Sequence, residues 1–464
     1  MNAIARALSK PISHHLAAAA IAPLLAPFLA LAMPAAPASA TTIERVVSAS
    51  GIEAWLVREP AVPLIAIDFA FDGGAAQDPP GKAGTAYLVS ATLNDGVGEF
   101  DSKTFHARLE RKAIEINFTA DRDTLRGTLR TLTENRDEAF DYLRLCLTAA
   151  RFDSADVELN RAQIMSTLRR DSTSPTDIAN RRWWETAFAG HPYGRPVTGT
   201  LESMPSITID DLKTYTRHVL ARQNVKIAIV GDIDAATVRT MLDRAFGGLP
   251  AKPELTPIPV ATPNGLGRRI VANLDVPQTV IEFGGTGIAR SDPDFFAAYI
   301  VNHILGGGTF SSRLYREVRE KRGLAYSVSD SLVWYDHTAL ILGSTATRAD
   351  RAGETLDVID KEIRRLAADG PTAEELAKSK AHLNASFALN LDTSAKIAAL
   401  MVQLQRDKLG IDYVARRPAM IAAVTLDDAR RVAKRLLDGG MLVTVVGKPA
   451  GVALTGAAAN DAKP

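Results

Sequence analysis

The sequence predicts an α+β fold in which two homologous domains each pack helices against a mainly antiparallel sheet. Alternating apolar strands such as 64–71 (LIAIDFAF) and 279–287 (TVIEFGGTG) precede long helical patterns in each half of the chain, so strands and helices are partly segregated. The length of 464 residues also exceeds what one hydrophobic core usually serves. These two observations indicate a two-domain chain, and an internal repeat supports them.

The repeat joins residues 208–234 (TIDDLKTYTRHVLARQNVKIAIVGDID) to residues 425–450 (TLDDARRVAKRLLDGGMLVTVVGKPA). In each copy a threonine followed by two aspartates is typical of a capping box that begins an amphipathic helix. An apolar run then predicts a buried strand that ends at Gly231 or Gly447. The copies are about half a chain apart, which favours two versions of one domain.

The first forty residues have the pattern of an export signal. Two basic residues and no acid precede an almost wholly apolar stretch at 16–33, and Ala38-Ser39-Ala40 supplies small residues at the cleavage positions. A retained membrane anchor is the alternative, but prolines interrupt the run before the roughly 20 residues that a spanning helix needs. We therefore expect a signal peptide at 1–40, a periplasmic location and no membrane span in the mature form.

The remaining chain is expected to form two domains with a linker between them. The predicted helices share periodic apolar positions, and they lie at 80–95, 102–111, 134–150, 154–170, 177–188, 292–305, 310–321, 350–369, 373–389, 393–408 and 425–437. Five prolines make the segment between the halves extended and linker-like. We expect domains at 41–248 and 267–449, a proline-rich linker at 249–266 and a flexible tail at 450–464.

Composition excludes several classes of protein. Lys and Arg number 54 against 53 Asp and Glu, a net charge of +1 that gives no general attraction to nucleic acid or to an acidic membrane surface. Hydrophobic residues at 46% and charged residues at 23% exclude a disordered chain. The single cysteine, Cys146, can form no intrachain disulfide, and its apolar surroundings favour a buried thiol.

The segment 304–330 (ILGGGTFSSRLYREVREKRGLAYSVSD) is the most informative stretch. Its three glycines lack the Lys-Ser/Thr ending of a P-loop and do not form a GxGxxG motif after a strand, which argues against nucleotide binding. A helix with arginines at every third position follows, and Gly323-Leu324-Ala325-Tyr326 then leads into a strand. A solvated charged helix joined to a strand is the simplest structural interpretation.

This segment resembles the C-terminal domain of the pitrilysin/insulinase family of zinc peptidases, whose signature is LGGGxxSRLxxxxREKxGLAYSV. The resemblance implies that Arg319 and Tyr326 reach the substrate in the catalytic chamber. A guanidinium and a phenol are both hydrogen-bond donors, so both can hold the scissile carbonyl oxygen as it gains negative charge.

Other segments extend the resemblance over nearly the whole mature chain. Residues 78–93 look like EPPGxxGLAHFLEHM, residues 115–124 like LNAYTSRDY, and residues 191–212 like HPYGRPxxGT. In that family the strand matched by 116–119 pairs with extended substrate. Asn117 keeps the family residue type there, whereas the next residue, a phenylalanine, replaces a small one.

The zinc motif of the family does not match. In HxxEH two imidazoles lie on one helix face, and the glutamate between them is the general base for a zinc-bound water. The matching positions are Tyr87, Ser90 and Ala91, and the two acidic positions of the third-ligand segment carry Asn160 and Thr167. Every ligand and the base are absent together, which predicts a chain without catalytic zinc.

No other catalytic motif replaces it. The histidines of the mature chain include no pair spaced for joint ligation on one helix turn. His106 with Glu110 fits a surface pair on a helix, and His191 in the HPYGRP turn fits a hydrogen bond that orders the loop. A serine or cysteine nucleophile is unsupported, because there is no GxSxG elbow and Cys146 has no evident histidine partner.

The resemblance therefore implies a zinc-less, exported subunit that is inactive alone and forms half of a clamshell-shaped heterodimeric metallo-endopeptidase. Its partner would be a homologous chain that carries HxxEH and the zinc, while this chain, with no cofactor of its own, would contribute Arg319 and Tyr326 to the binding of peptide substrates. The alternative is a non-catalytic peptide-binding or scaffold protein derived from the same family. An active homodimer is a third possibility that would need a metal site not evident in the sequence.

Overall fold

The computed structural model describes residues 42–389 and 391–452, so the predicted signal peptide at 1–40 and most of the predicted tail lie outside the described residues. The first half contains, in chain order, β1 (Glu44–Val47), β2 (Glu53–Arg58), β3 (Leu64–Asp72), α1 (Thr85–Thr92), β4 (Gly96–Val97), β5 (Phe100–Asp101), α2 (Ser102–Arg111), β6 (Glu115–Ala120), β7 (Thr124–Leu132), α3 (Arg136–Thr148), α4 (Ser154–Asp171), α5 (Pro175–Ala187), α6 (Ile209–Val219), β8 (Val225–Gly231) and α7 (Ala235–Phe246).

The second half has a similar order of elements. It contains β9 (Arg269–Asn273), β10 (Gln278–Thr286), α8 (Phe295–Asn302), β11 (Ala325–Trp334), β12 (Ala339–Arg348), α9 (Ala352–Asp369), α10 (Ala373–Leu389), α11 (Ser394–Arg406), α12 (Tyr413–Ala423), α13 (Leu426–Leu437) and β13 (Leu442–Gly447). Two π-helical segments, His303–Gly307 and Tyr315–Glu320, lie between α8 and β11. Between α7 and β9, residues 251–263 form neither helix nor strand.

Two main sheets organise the described chain. The first has the strand order β1-β2-β8-β3-β7-β6, and the second has the order β11-β12-β10-β13-β9. Neighbouring strands run antiparallel except for the pairs β2/β8 and β9/β13. The fold is α+β, as predicted, and β6 and β11 are edge strands of their sheets.

The central strand of the first sheet is buried on both faces. From Ile65 to Phe71 every residue of β3 is buried, although its alternating sequence would also suit a strand with one wet face. On one face Phe69 packs edge-on against Phe246 of α7, with ring centres 5.3 Å apart, in a core shared with other helices of the first half. The other face packs against α11 from the second half. Gln405 Nε2 of α11 donates to the Ile227 carbonyl in β8 at 2.9 Å.

A reciprocal contact joins α5 to the second sheet. This helix packs against β10 and β13, and Trp183 Nε1 donates to the Leu442 carbonyl at 3.1 Å. A Cβ at Gly284 would lie 2.7 Å from the Trp183 ring, so glycine is needed for the helix to approach β10 this closely. Each half therefore contributes a helix to the core of the other.

Most predicted helices are present, with boundaries that differ by a few residues. The two predicted capping boxes are confirmed at Thr208 with Asp211 and at Thr425 with Asp428. Two helices were not predicted: α7, and α12, which has Pro418 within it. No helix within the described ranges is both long enough and apolar enough to cross a bilayer.

Candidate functional site

Arg319 and Tyr326 lie together beside the edge of the second sheet. Arg319 belongs to the π-helical segment Tyr315–Glu320, and its Cζ stands 4.5 Å from the centre of the Tyr326 ring. Tyr326 is 82% exposed at the start of β11. The β11/β12 register shifts between Ala325 and Val328, and this bulge lies at Tyr326. The structure thus presents a cation and a phenol side by side to solvent.

The other arginines of this segment are held by carboxylates. Arg313 is buried and donates from Nε and Nη2 to Glu375, at 2.8 and 2.7 Å. Arg316 lies 3.6 Å from the same carboxylate, and Arg322 donates to Glu317 Oε2 at 2.7 Å. Arg319 forms no such ion pair among residues 42–389 and 391–452. Its guanidinium therefore keeps donors for an external acceptor, which the sequence alone could not distinguish.

A second aromatic ring that sequence reasoning missed, that of Tyr315, contacts Arg319, and Phe310 packs against Tyr315. Tyr315 lies one helical turn before Arg319, with its ring centre 5.1 Å from the Arg319 Cζ. Phe310 packs edge-on against Tyr315 at 5.1 Å and is 69% exposed. Cation–π contacts of this kind hold a guanidinium in place without consuming its hydrogen-bond donors. The spacing of Tyr315 and Arg319 at i and i+4 was the available signal.

The glycine-rich turn before this segment closes around a buried carboxyl group. A Cβ at Gly306 would lie 2.6 Å from Oδ1 of Asp330, so the turn can approach β11 only because this residue is glycine. Burial raises the pKa of Asp330 well above its ordinary value, because the charged carboxylate is removed from water. The glycines were predicted to allow a tight turn, and Gly306 allows that turn to pack against β11.

The positions that match the zinc motif lie on α1 and α4, which pack against each other. Ser90 is buried, and its hydroxyl donates to the Tyr87 carbonyl in its own helix at 2.8 Å. Asn160 Nδ2 donates to Asp95 Oδ2 at 2.5 Å, so this side chain is held by a carboxylate in the turn after α1. Tyr87, Ala91 and Thr167 are half-buried and offer no strong metal ligand.

Among the residues that the structure describes, no group of three or more His, Cys, Asp or Glu side chains is arranged to hold a metal ion. The zinc-motif positions carry a phenol, hydroxyls, an amide and a methyl group, and these groups do not supply the ligands of a tetrahedral zinc ion. The side chains of this region do not supply a hydrolytic centre.

The segment around His191 is structural. Its Nδ1 accepts from the Tyr193 backbone N–H at 3.1 Å, and its Nε2 lies 3.0 Å from the Pro259 carbonyl oxygen. Arg195 donates to the carbonyl oxygens of Ala76 and Asp78 at 3.1 and 2.8 Å, which fixes the chain that leads into α1. These contacts order the loop, which is the role predicted for His191.

Asn117 is exposed on β6, the edge strand of the first sheet. Beside it, Asn94 Nδ2 donates to the Ile116 carbonyl at 3.0 Å. A side chain therefore already occupies one of the edge acceptors that an added strand would use. Asn117 and the pair Arg319 and Tyr326 lie on the edges of two different sheets.

Comparisons with known proteins identify the family to which this fold belongs. The family model for insulinase, peptidase family M16, matches residues 56–201. The model described as the peptidase M16 inactive domain matches residues 206–383. The chain belongs to peptidase family M16.

Relatives within the M16 family carry both catalytic and non-catalytic names. An uncharacterized zinc protease of Streptomyces coelicolor is 27% identical over 387 residues, which cover 81% of this chain and 83% of that protein. A Helicobacter pylori protein named non-peptidase homolog YmxG is 26% identical over 333 residues, 72% of this chain and 77% of its own. At the positions of the M16 zinc motif this chain carries Tyr87, Ser90 and Ala91 in place of the HxxEH side chains.

Solved structures match over nearly the whole described chain. The crystal structure of a peptidase M16 inactive domain from Pseudomonas fluorescens aligns with a TM-score of 0.83 at 25% identity, covering 89% of this chain and 99% of that one. A protease from Helicobacter pylori aligns with a TM-score of 0.79 at 20% identity, covering 88% of this chain and all of that one, and confirms the fold.

Proposed function

We propose that this M16 chain is the zinc-less subunit of an exported heterodimeric metallo-endopeptidase. In this proposal a homologous subunit with an intact HxxEH motif supplies the zinc and the general base. This chain supplies Arg319 and Tyr326, which bind the peptide substrate and stabilise the oxyanion that forms when water attacks the scissile carbonyl. The predicted signal peptide at 1–40 would deliver it to the periplasm.

The observation that carries the proposal is the contrast between the two sites. At the zinc-motif positions Asn160 is bound to Asp95, and the ligand side chains are gone. At the second site Arg319 stands over the exposed Tyr326 ring without a carboxylate partner among the described residues. A cation held by aromatic rings, with its donors free, suits an acceptor from outside the chain.

A second candidate is a non-catalytic peptide-binding or scaffold protein. The Helicobacter pylori relative named as a non-peptidase homolog favours it. The two proposals differ in what Arg319 does: a scaffold needs the fold but does not need the guanidinium in a chemical step.

Association with an HxxEH homologue tests the partnership separately from catalysis. We expect this chain, purified and mixed with an exported M16 chain from the same genome that carries HxxEH, to form a one-to-one complex in light scattering. Arg316→Ala serves as a control for a surface change near Arg319 and should still associate. The Arg316 side chain is 41% exposed, and its ion pair with Glu375 is long, at 3.6 Å. A chain that stays monomeric with every such homologue would support the scaffold proposal instead.

A further inference from the structure

A second cluster of side chains occupies the part of the second half that corresponds to the family's zinc site in the first. Residues 86–96 (AYLVSATLNDG) align with residues 298–308 (AYIVNHILGGG), which share alanine, tyrosine, valine, leucine and glycine at matching positions. Just as α1 packs beside the edge strand β6, α8 with its π-helical continuation packs beside the edge strand β11. This alignment places His303 where Ala91 stands in the first half.

The same alignment pairs α10 with α4. Ser379 on α10 follows His303 at the spacing with which Thr167 follows Ala91. The His303 Nδ1 lies 3.0 Å from the Ser379 hydroxyl. One turn further along α10 is His382, whose ring centre is 5.0 Å from that of His303. Two imidazoles that are far apart in the sequence therefore meet at this position.

The His303 ring is 92% buried, since only 8% of its surface is exposed, and its Nε2 is buried without a hydrogen-bond partner in the structure. Both histidines line a cavity of about 640 Å³ between the glycine-rich turn and α10. An Nδ1–H that donates to Ser379 leaves the Nε2 lone pair free, which is the usual way in which a hydrogen bond orients a metal-binding histidine. His382 is exposed and can be approached from solvent.

We propose that His303 and His382 bind a divalent transition-metal ion such as Zn²⁺ in this cavity. Two imidazoles that share one tetrahedral ion at Zn–N distances of about 2.0–2.1 Å have ring centres roughly 5 Å apart, close to the observed separation. The site has two protein ligands, because no third His, Cys, Asp or Glu of the described chain completes it. Water fills the remaining positions, and the binding is weaker than at a structural zinc site.

The site is independent of the proposed peptidase function. It lies in the other half of the chain from the M16 zinc motif and has no glutamate general base arranged as in HxxEH. Imidazole suits zinc, nickel, copper and cobalt, whereas magnesium and calcium prefer oxygen ligands. Selectivity for the first group over the second is therefore part of the proposal.

The test is calorimetric titration of the untagged, chelator-treated protein with Zn²⁺ and, separately, with Mg²⁺. We expect one Zn²⁺ to bind per chain and no heat from Mg²⁺. His382→Ala should weaken Zn²⁺ binding at least about tenfold, the scale seen when groups that support a metal site are removed. Its side chain is exposed, so the variant should fold, and thermal melts would check this.

His218→Ala is the matched control. His218 is a helical histidine whose side chain is 45% exposed, and its Nε2 lies 3.4 Å from the Glu254 carboxylate. Zinc affinity should survive this change. His303→Gln provides a second arm that keeps a polar side chain in the buried position, and it too should weaken binding. The proposal fails if the protein binds no Zn²⁺, or if His382→Ala and His303→Gln bind it as tightly as the unchanged chain.

Discussion

At the scale of single residues, Arg319 differs from its neighbours in what holds it. Arg313, Arg316 and Arg322 are within reach of Glu375 or Glu317, whereas Arg319 is stacked against tyrosine rings. A guanidinium that is held by rings keeps its donors available, so this side chain can act on a substrate while the others stabilise the fold.

Removing either donor should impair a complex whose metal site is untouched. We expect Arg319→Ala or Tyr326→Phe in this chain to lower kcat by about 10²–10³-fold, by analogy with the loss of one oxyanion donor. Tyr326→Phe keeps the ring on which Arg319 stacks and removes only the hydroxyl. Peptide turnover of the reconstituted complex measures the effect.

Arg316→Ala is the control for that experiment, and Arg313 is unsuitable because its buried guanidinium holds Glu375 and the Gly370 carbonyl. Arg316→Ala should leave turnover within about twofold of the unchanged complex, the scatter expected of a surface change. Equal turnover in all variants would remove Arg319 and Tyr326 from the mechanism.

Restoring the zinc motif should require more than the helix α1. Tyr87→His, Ser90→Glu and Ala91→His together still lack the third carboxylate, so we expect little gain in zinc affinity at this position. Adding Thr167→Glu should raise it, because three protein ligands are the usual set at a catalytic zinc. His382→Ala is included in both variants to remove the proposed second site from the titration. Equal zinc affinity with and without Thr167→Glu would show that the third ligand is placed wrongly.

At the scale of elements, the sequence predicted those units whose pattern is local. The capping boxes at Thr208 and Thr425 and the strands that follow them are local signals, and both copies are present in the structure. The helix α12 was missed because Pro418 lies inside it, and proline normally ends a helix. The partner of each helix could not be predicted, since α5 and α11 pack on sheets of the opposite half.

The candidate site was also predictable only in part, because some of its features are local in the sequence and others are not. Arg319 and Tyr326 could be placed from the motif, but the absence of an ion pair at Arg319 depends on where Glu375 of α10 comes to lie. The pair of His303 and His382 was missed because its members lie on different elements, and periodicity within one helix carries no information about such contacts. The alignment of AYLV with AYIV was the signal that could have revealed His303.

Corresponding strands of the two sheets bury acids with different partners. Asp68 in β3 accepts from Arg126 at 2.8 and 2.9 Å, whereas Glu282 in β10 accepts from the neutral Asn180 of α5 at 2.8 Å. Burial without a cation raises the pKa of Glu282 to about 7. Ionisation of Glu282 therefore destabilises the contact between α5 and the second sheet.

The sign of the resulting pH dependence follows from the direction of that shift. Below the ordinary glutamate pKa of 4.5, both the folded and the unfolded chain carry a protonated Glu282. Between this value and about 7 the unfolded chain ionises first, so the free energy of unfolding falls as pH rises. The full shift of the Glu282 pKa corresponds to a loss of roughly 3 kcal/mol in the free energy of unfolding.

Glu282→Gln should remove the loss of stability that the ionisation of Glu282 causes at high pH. We expect the variant to be more stable than the unchanged chain at pH 8 by up to roughly 3 kcal/mol, and much less so at pH 5. The control is Asp68→Asn, which should destabilise at both pH values by about 1–3 kcal/mol because it leaves Arg126 without its carboxylate. Urea denaturation at pH 5 and pH 8 measures both. A stability difference for Glu282→Gln that does not change with pH would contradict the account.

At the scale of the whole molecule, the exchange of helices makes the two halves interdependent. The face of the first sheet lies under α11, and Trp183 of α5 lies against the second sheet. Each half, separated from the other, would expose a large apolar sheet surface to water. The halves are therefore repeats in sequence but parts of one folding unit.

The isolated halves should not fold. We expect fragments 41–248 and 267–449 to show no sharp near-UV dichroism and no cooperative melt when expressed separately, while the complete chain unfolds in one transition. The two fragments expressed together should recover native dichroism, since the missing helices are then supplied. A cooperative melt of the fragment 41–248 alone would contradict the interdependence.

The central claim concerns catalysis shared between two chains, and peptide turnover tests it most directly. This chain, the HxxEH homologue and their equimolar mixture are assayed with an unstructured peptide at saturating zinc. The account predicts no turnover by this chain alone, even with zinc added, and turnover by the mixture that far exceeds that of either chain. Chelator-sensitive hydrolysis by this chain alone, or a mixture no more active than the HxxEH chain by itself, would contradict it.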